Sequence, residues 1–447
     1  MIIKNRAALS TTKLRKQALD IVEAGICRVL PTNIMKSAVR YDPASRILAI
    51  NDAIYNLAKG RLFVIGGGKA SGLMAETLES IIPPEDISDG VVNCKSRGYK
   101  TGRVKIIPAG HPIPDQRGVE GVKKMLAFKK SYSINENDLI ICLISGGGSA
   151  LMPYPVDDVT LADKQKITEL LLSSGAEIAE INAIRKHLSQ IKGGQLGRYY
   201  FPATVVSLIL SDVVGNDLAV IASGPTFPDP TTFSDAYNVL KKYNLLARAP
   251  KSVTRFLRKG YQGKVAETPK SLNNCHNYII GDNRLALEAM LKRAREMAFT
   301  PYIVTAEQKG DTATVAWSRA NEIIGSRYAG YNAIIVGGET TPKLPASVGK
   351  GGRNQHYAAA SMLAMKNYPA QWLVASVGTD GSDFLPDVAG AIVDNSSLAK
   401  ARASGIDVKS YLDSYDSNTL LNKIGSSLVL TGDTGTNVGD VILYLLR

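Results

Sequence analysis

The sequence predicts an α/β protein of two domains, with parallel α/β layers in both halves. Three observations carry that expectation. Short continuous apolar runs such as residues 139–144 break abruptly into glycine-rich loops such as Ser145-Gly146-Gly147-Gly148-Ser149. A strand buried in a parallel sheet reads as such a run rather than as an alternation. These runs alternate with stretches of helical periodicity along the chain, the pattern of βαβ units. A rigid proline-rich segment, FPDPTT at 227–232, marks a candidate boundary between the halves.

The composition is that of an ordinary globular protein. The chain has 447 residues, enough for two or three domains. Aromatic residues make up only 6%, which argues against stacking platforms for single-stranded nucleic acid. The net charge of +13 suits an acidic small molecule, a nucleic acid or a membrane surface, and selects none of them. One basic stretch stands out: residues 241–270 hold nine Lys or Arg against one acid, Glu267. Its helical spacing makes it a solvated helix face. The four cysteines lie far apart, with no CxxC pair. That usage fits a reduced cytoplasm and argues against a zinc site. The first twenty residues lack the apolar core of a signal peptide, and no apolar run is long enough to span a bilayer.

Residues 11–50 read as helical, capped by Thr11 or Thr12 and interrupted at Pro31, with a further short element at 51–57. At 62–65 comes a strand, then Gly66-Gly67-Gly68-Lys69, then a helix over 70–80. Strand, glycine loop and helix in that order bring a helix N-terminus towards an anion. The spacing matches neither a Walker A loop nor GxGxxG. Strands follow at 87–93 and 104–108, and Ala109-Gly110-His111-Pro112 is a loop. The glycines of 145–149 remove side-chain bulk and allow backbone N–H groups to turn around an anion. A helix over 176–194 ends in a basic cluster, where Lys192 is a weak candidate for ligand contact. The strand 203–210 delivers Asp212 to its carboxyl end, where open α/β sheets place ligands. In the second half, strand ends lead into Gly337-Gly338-Glu339-Thr340, into Gly378-Thr379-Asp380-Gly381-Ser382-Asp383 and into residues 431–440. The loop GKGGRN at 349–354 opens a helix over 355–365.

Strand ends of this kind suit a polyphosphate site, since phosphoryl transfer asks mainly for positioning and charge neutralisation. Lys69 and Arg353 are the candidate cations, Arg353 with a bidentate fork. Asp212, Asp380 and Asp383 are carboxylates of the kind Mg²⁺ takes, and Asp212 is also a candidate proton acceptor. Gly67, Gly68, Ser145, Gly146, Gly147, Gly148, Ser149, Asn216, Glu339, Thr340 and Asn354 are the candidate substrate- and phosphate-binding positions. Nucleophilic catalysis is less supported, because no GxSxG elbow occurs.

The set GGGKASG (66–72), GHPIPD (110–115), SGGGSALMPYP (145–155), RKHLSQIKGG (185–194), SDVVGNDLAVIASGPTFPDPTTF (211–233), GGET (337–340), GGRNQ (351–355), VGTDGSD (377–383) and TGTNVGD (434–440) resembles the type II glycerate kinases. The resemblance spans nearly the whole chain in order. It implies a Rossmann-like N-terminal domain over 1–235, with its core at 59–235, and a smaller α/β domain of the MOFRL type over 236–447. It further implies an active site in the cleft between them, and an N-terminal helical segment, within 1–50, that packs on the second domain. Lys69, Asp212 and Arg353 match that family's active-site lysine, aspartate and arginine. The implied reaction uses ATP and Mg²⁺ or another divalent cation to phosphorylate the 2-hydroxyl of D-glycerate, in the cytoplasm. No nucleic-acid or membrane partner is implied, and oligomeric state, a homodimer included, is open. The chain departs from the family pattern at Phe384-Leu385-Pro386 and at Asp433, where relatives carry other residues. Two rival readings remain: a hydroxypyruvate reductase, which needs a nicotinamide site that the sequence does not display, and a non-catalytic sugar- or nucleotide-binding protein.

Overall fold

The computed structural model describes residues 1–345 and 347–447. The chain divides into two compact units. Residues 34–280 form one, and residues 1–33 with 281–447 form the other. The boundary expected at 235/236 therefore falls inside the first unit. The reason is a strand beyond the proline-rich segment, Cys275–Gly281, which completes the first unit's sheet.

The first unit begins with a small antiparallel sheet, Val39–Asp42 (β1), Ile47–Ile50 (β2) and Ala53–Asn56 (β3). The helix expected to run on to residue 50 ends instead at Ala38. The 47–50 segment buries alternate residues, the period of a half-buried strand, and Asn51 takes a positive φ of 50° at the turn between β2 and β3. The main sheet contains Leu62–Gly67 (β4), Ile87–Cys94 (β5), Val104–Pro108 (β6), Leu139–Ile144 (β7), Thr204–Leu210 (β8) and Cys275–Gly281 (β9). Their spatial order is β6-β5-β4-β7-β8-β9, and the pairings from β6 through to β8 are parallel. This is the doubly wound 3-2-1-4-5-6 order, whose topological switch point lies between β4 and β7. Every residue of β4 and β7 is buried, which is why both read as unbroken apolar runs.

A second layer of this unit is helical. Helices Leu161–Ser173, Ile178–His187, Phe233–Lys242 and Lys251–Tyr261 pack on one another around Ile167, Leu171, Ile184, Leu240, Val253 and Leu257. The basic stretch 241–270 supplies the outward face of the last of these. The helix expected over 176–194 ends at His187. Gly193 and Gly194 instead take positive φ of 58° and 79° in the turn before helix Gln195–Tyr200.

In the second unit the sheet runs β10-β11-β15-β12-β13-β14, built from Pro301–Gln308 (β10), Ala333–Gly338 (β11), Trp372–Gly378 (β12), Gly390–Asp394 (β13), Leu428–Val429 (β14) and Asp440–Leu446 (β15). Only the β10–β11 pair is parallel; the other four pairings are antiparallel. The parallel layer expected for this half is thus corrected to a mixed sheet. The cause is β15, which inserts between β11 and β12 in the opposite direction, and β13, which returns beside β12 without a helical crossover. Antiparallel insertion places Asp440, the first residue of β15, opposite Gly338 and Gly378, the last residues of its two neighbours.

Helix Lys13–Arg28 belongs to this second unit. The Thr12 side chain accepts from the Arg15 N–H and caps it. Its buried face, including Ala18, Leu19, Ile21, Val22 and Ile26, packs on helix Asn283–Glu296 and on β12 and β15. Gly25 makes the close approach possible: a Cβ there would lie 2.7 Å from Met290 Cγ. Arg15, 2% exposed, pairs with Asp394 (Nε–Oδ2 2.6 Å) and also donates to Ser397 Oγ and the Ser426 carbonyl.

Candidate functional site

At the switch point the two glycine loops that follow β4 and β7 are bonded to each other. The Lys69 N–H donates to the Gly146 carbonyl at 2.8 Å. Ser145 Oγ accepts from the Ala70 N–H at 2.9 Å and lies 3.2 Å from Ser71 Oγ. Ser145 is fully buried. Its hydroxyl therefore joins the loops rather than facing a ligand. The glycines permit the contact: a Cβ on Gly68 would lie 2.1 Å from Ser145 Oγ, and one on Gly148 would lie 2.8 Å from the Gly67 carbonyl. Gly147 has a φ of 80°, and a Cβ there would meet the His111 ring at 2.9 Å and Lys69 Cγ at 3.3 Å. Lys69 and His111 thus flank the β7 loop. Ser149 Oγ lies 2.7 Å from Ser223 Oγ, which ties this loop to the turn after Asn216. Asn216 itself takes a positive φ of 56°. Asp212 lies two residues past β8, at the carboxyl edge of the same sheet.

A cavity of about 820 Å³ opens beside these loops within the first unit. His111, Gly147 and Ser149 line it together with Lys164, Arg185 and Lys192. Lys164 is 7% exposed, and its Nζ has no hydrogen-bond partner. Burial, then the neighbouring Arg185 charge, push it down to about 7. Lys192 is 2% exposed, with its Nζ 3.4 Å from the Ala222 carbonyl. Burial, followed by Lys164 and Arg185, holds it well below an ordinary lysine. The Arg185 guanidinium is likewise lowered by burial. The neighbouring basic residues differ: Lys186 pairs with buried Asp229 at 3.1 Å, and His187 Nε2 lies 3.2 Å from Glu267. Sequence reasoning kept Lys192 as a weak candidate, took Arg185 for a helix-end cation and passed over Lys164.

In the second unit Arg353 is the first residue of helix Arg353–Ala364. Its fork is held by Asp440, Nε–Oδ2 at 2.6 Å and Nη2–Oδ1 at 3.0 Å, while Nη1 lies 2.6 Å from Glu339 Oε1. Burial alone would lower its pKa; the Asp440 charge outweighs that and raises it. Asn354 Nδ2 donates to Asp440 Oδ1 at 2.9 Å and its Oδ1 accepts from Ser376 Oγ at 2.7 Å. Asp440 lay inside the TGTNVGD stretch but was not singled out. Thr340 Oγ1 accepts from Thr312 Oγ1 at 2.9 Å and is buried, a packing role.

The acidic candidates separate by geometry. Both Asp383 oxygens are occupied, Oδ1 by the Asn354 N–H at 3.0 Å and Oδ2 by the Gln355 N–H at 2.8 Å and Gln355 Nε2 at 3.0 Å. Asp383 therefore caps the Arg353 helix, and burial lifts its carboxyl to about 6. Gly352 makes room for it, since a Cβ there would lie 2.1 Å from the Asp383 carbonyl oxygen. Asp380 Oδ1 accepts from the Ser382 N–H at 3.0 Å. Among the described residues no group of three or more His, Cys, Asp or Glu is arranged to hold a metal. Mg²⁺ bound through one or two carboxylates and substrate phosphates requires no such group. Asp383, with both oxygens engaged in the cap, fits that mode poorly. No helix among the described residues is long and apolar enough to cross a membrane.

A doubly wound sheet with paired glycine loops at its switch point defines the open α/β class, in which ligands bind outside the carboxyl ends of the strands. Comparison with known proteins narrows this. Residues 17–258 match a domain of unknown function, DUF4147, and residues 332–440 match the MOFRL family. A glycerate 2-kinase of Pyrococcus horikoshii is 40% identical over 395 residues, covering 87% of this chain and 88% of that protein. An Agrobacterium vitis protein, provisionally named a hydroxypyruvate reductase, is 36% identical over 97% of this chain and 99% of its own length. The crystal structure of a glycerate kinase from Thermotoga maritima superposes with a TM-score of 0.82 at 35% identity, covering 97% of this chain and 99% of that one. The chain belongs to the type II glycerate kinase family.

Proposed function

We propose that this protein is a glycerate 2-kinase that transfers the γ-phosphoryl group of ATP to the 2-hydroxyl of D-glycerate, giving 2-phosphoglycerate and ADP. The observation that carries this reading is Lys69 beside two interlocked glycine loops at the switch point, within a chain that matches glycerate kinases over most of its length. The substrate 2-hydroxyl oxygen forms the new P–O bond, the bond from the γ-phosphorus to the β–γ bridging oxygen breaks, and ADP leaves. Asp212 is assigned as acceptor of the hydroxyl proton. Lys69 and Arg353 are assigned to neutralise phosphoryl charge, the term that dominates such reactions. Asp380, together with phosphate oxygens and water, would hold a divalent cation, which when bound supplies further neutralisation of phosphate charge.

The test is to incubate the protein with D-glycerate and Mg-ATP and to resolve the phosphoglycerate isomers. Absence of ADP formation would overturn the reading, and 3-phosphoglycerate as sole product would correct its regiochemistry. NADH consumption with hydroxypyruvate is the discriminating assay for the reductase alternative.

A further inference from the structure

We infer that the pocket framed by Lys164, Arg185 and Lys192 is an oxyanion-binding site, taking a carboxylate or phosphate group of a small-molecule substrate. Buried Lys164 and Lys192 converge with Arg185 on one cavity, and the one acid on its wall among the described residues, Glu169, is exposed and lies 3.1 Å from Lys166, a fourth lining cation. The Lys164 ammonium is buried without a hydrogen bond. A buried charge without a partner is costly, and mutual repulsion adds to the cost. Such an arrangement persists where a ligand supplies the missing counter-charge.

The cations stand on a firm base. Lys164 and Arg185 project from helices whose other faces bury Ile167, Leu171, Ile181 and Ile184 in the helical layer. Lys192 is followed by Gly193 and Gly194, whose N–H groups donate to the Ser223 and Gly224 carbonyls at 3.0 and 2.7 Å. Ala222 and Ser223 hold positive φ of 50° and 63°, a strain that clusters at ligand sites. The cavity of about 820 Å³ lies in the range of small-molecule pockets, about 300–1,000 Å³. Gly147 and Ser149 form part of its wall, so the oxyanion would sit against the same loop that Lys69 flanks.

Only the identity of the ligand rests on the glycerate kinase reading; the site itself does not. The test is calorimetric titration of the full chain with three probes, inorganic phosphate, D-glycerate and ADP, for wild type, Lys164→Met and Arg185→Met. At least one probe is expected to bind the wild type and to lose affinity at least about tenfold in both variants. Loss confined to D-glycerate identifies a carboxylate subsite, and loss confined to ADP and phosphate identifies a phosphate subsite. Lys164→Met is expected to melt no lower than wild type, because it removes an unpaired buried charge; should it fail to fold, the more exposed Arg185→Met decides alone. Failure of every probe to bind wild type, or unchanged affinities in the variants, would overturn the inference. Probe binding that the variants weaken, in a protein that forms no phosphoglycerate, would sink the kinase reading and leave the site standing.

Discussion

Arg353 and Asp440 meet through two nearly parallel hydrogen bonds, Nε to Oδ2 at 2.6 Å and Nη2 to Oδ1 at 3.0 Å. Asp440 owes its place to the antiparallel entry of β15, and it fixes the orientation of the guanidinium that Glu339 touches from the other side. Asp440→Asn should lower kcat about 10- to 100-fold with a smaller effect on the KM for glycerate, because it loosens the charge that the proposed mechanism sets against the transferring phosphoryl group. Arg353→Lys should fare no better, since an ammonium cannot form the double bond. Steady-state kinetics check both, and a wild-type kcat in Asp440→Asn would remove Arg353 orientation from the mechanism.

Lys69→Ala should reduce turnover by two or more orders of magnitude, the scale on which removal of a single transition-state contact acts. Melting temperature should change less than in Gly68→Ala, because the loop-joining bonds from the Lys69 N–H and to Ser145 Oγ survive loss of the lysine side chain. Gly68→Ala should fail differently. Its new Cβ would lie 2.1 Å from Ser145 Oγ and force the loops apart, so activity and about 1–3 kcal/mol of stability should fall together. Thermal melts beside activity assays separate the two variants.

Lys164 gives stability a pH dependence of known sign. Its pKa is about 7 in the folded protein against an ordinary 10.5. Between those values the unfolded chain holds a proton that the native protein has released, so this group makes stability rise as pH rises from about 7 towards 10.5. The groups around it are Arg185, Lys192, His111, Lys166 and Glu169. The stability difference between wild type and Lys164→Met should therefore shrink across that range. A difference independent of pH, followed by denaturant melts at several pH values, would contradict the assignment.

Arg15→Ala should destabilise the protein by about 3–5 kcal/mol, because it leaves buried Asp394 without its cation. Denaturant melts would register it, and a loss under about 1 kcal/mol would mean that Asp394 finds another donor.

The parts of the fold legible in the sequence are those where burial acts on a whole strand. Residues 139–144 and 62–67 are buried throughout, so their apolar runs and glycine stops reveal both the strands and the loops that matter. Strand direction leaves no such mark: DVILYLL at 440–446 is as apolar as any parallel strand, and only pairing shows that it runs against its neighbours. The 39–56 strands are half exposed, and their short alternation was absorbed into a helical reading. Among the candidate residues, Lys69 and Arg353 stand out in the sequence because glycines precede them. Lys164 and Arg185 do not, because a basic residue on an amphipathic helix looks the same in sequence whether it faces open solvent or a cavity. Asp383 illustrates the converse: a strand-end carboxylate suggests a metal, while its three N–H donors make it a cap.

Helix Lys13–Arg28 packs on Asn283–Glu296 and on strands that follow residue 371. During synthesis that helix emerges more than 250 residues before any of this packing surface. At about 5–20 residues per second the wait lasts on the order of tens of seconds. Through that interval Leu19, Ile21, Val22 and Ile26 have no native surface to cover them. The second unit therefore folds only after Asp440–Leu446 has been synthesised.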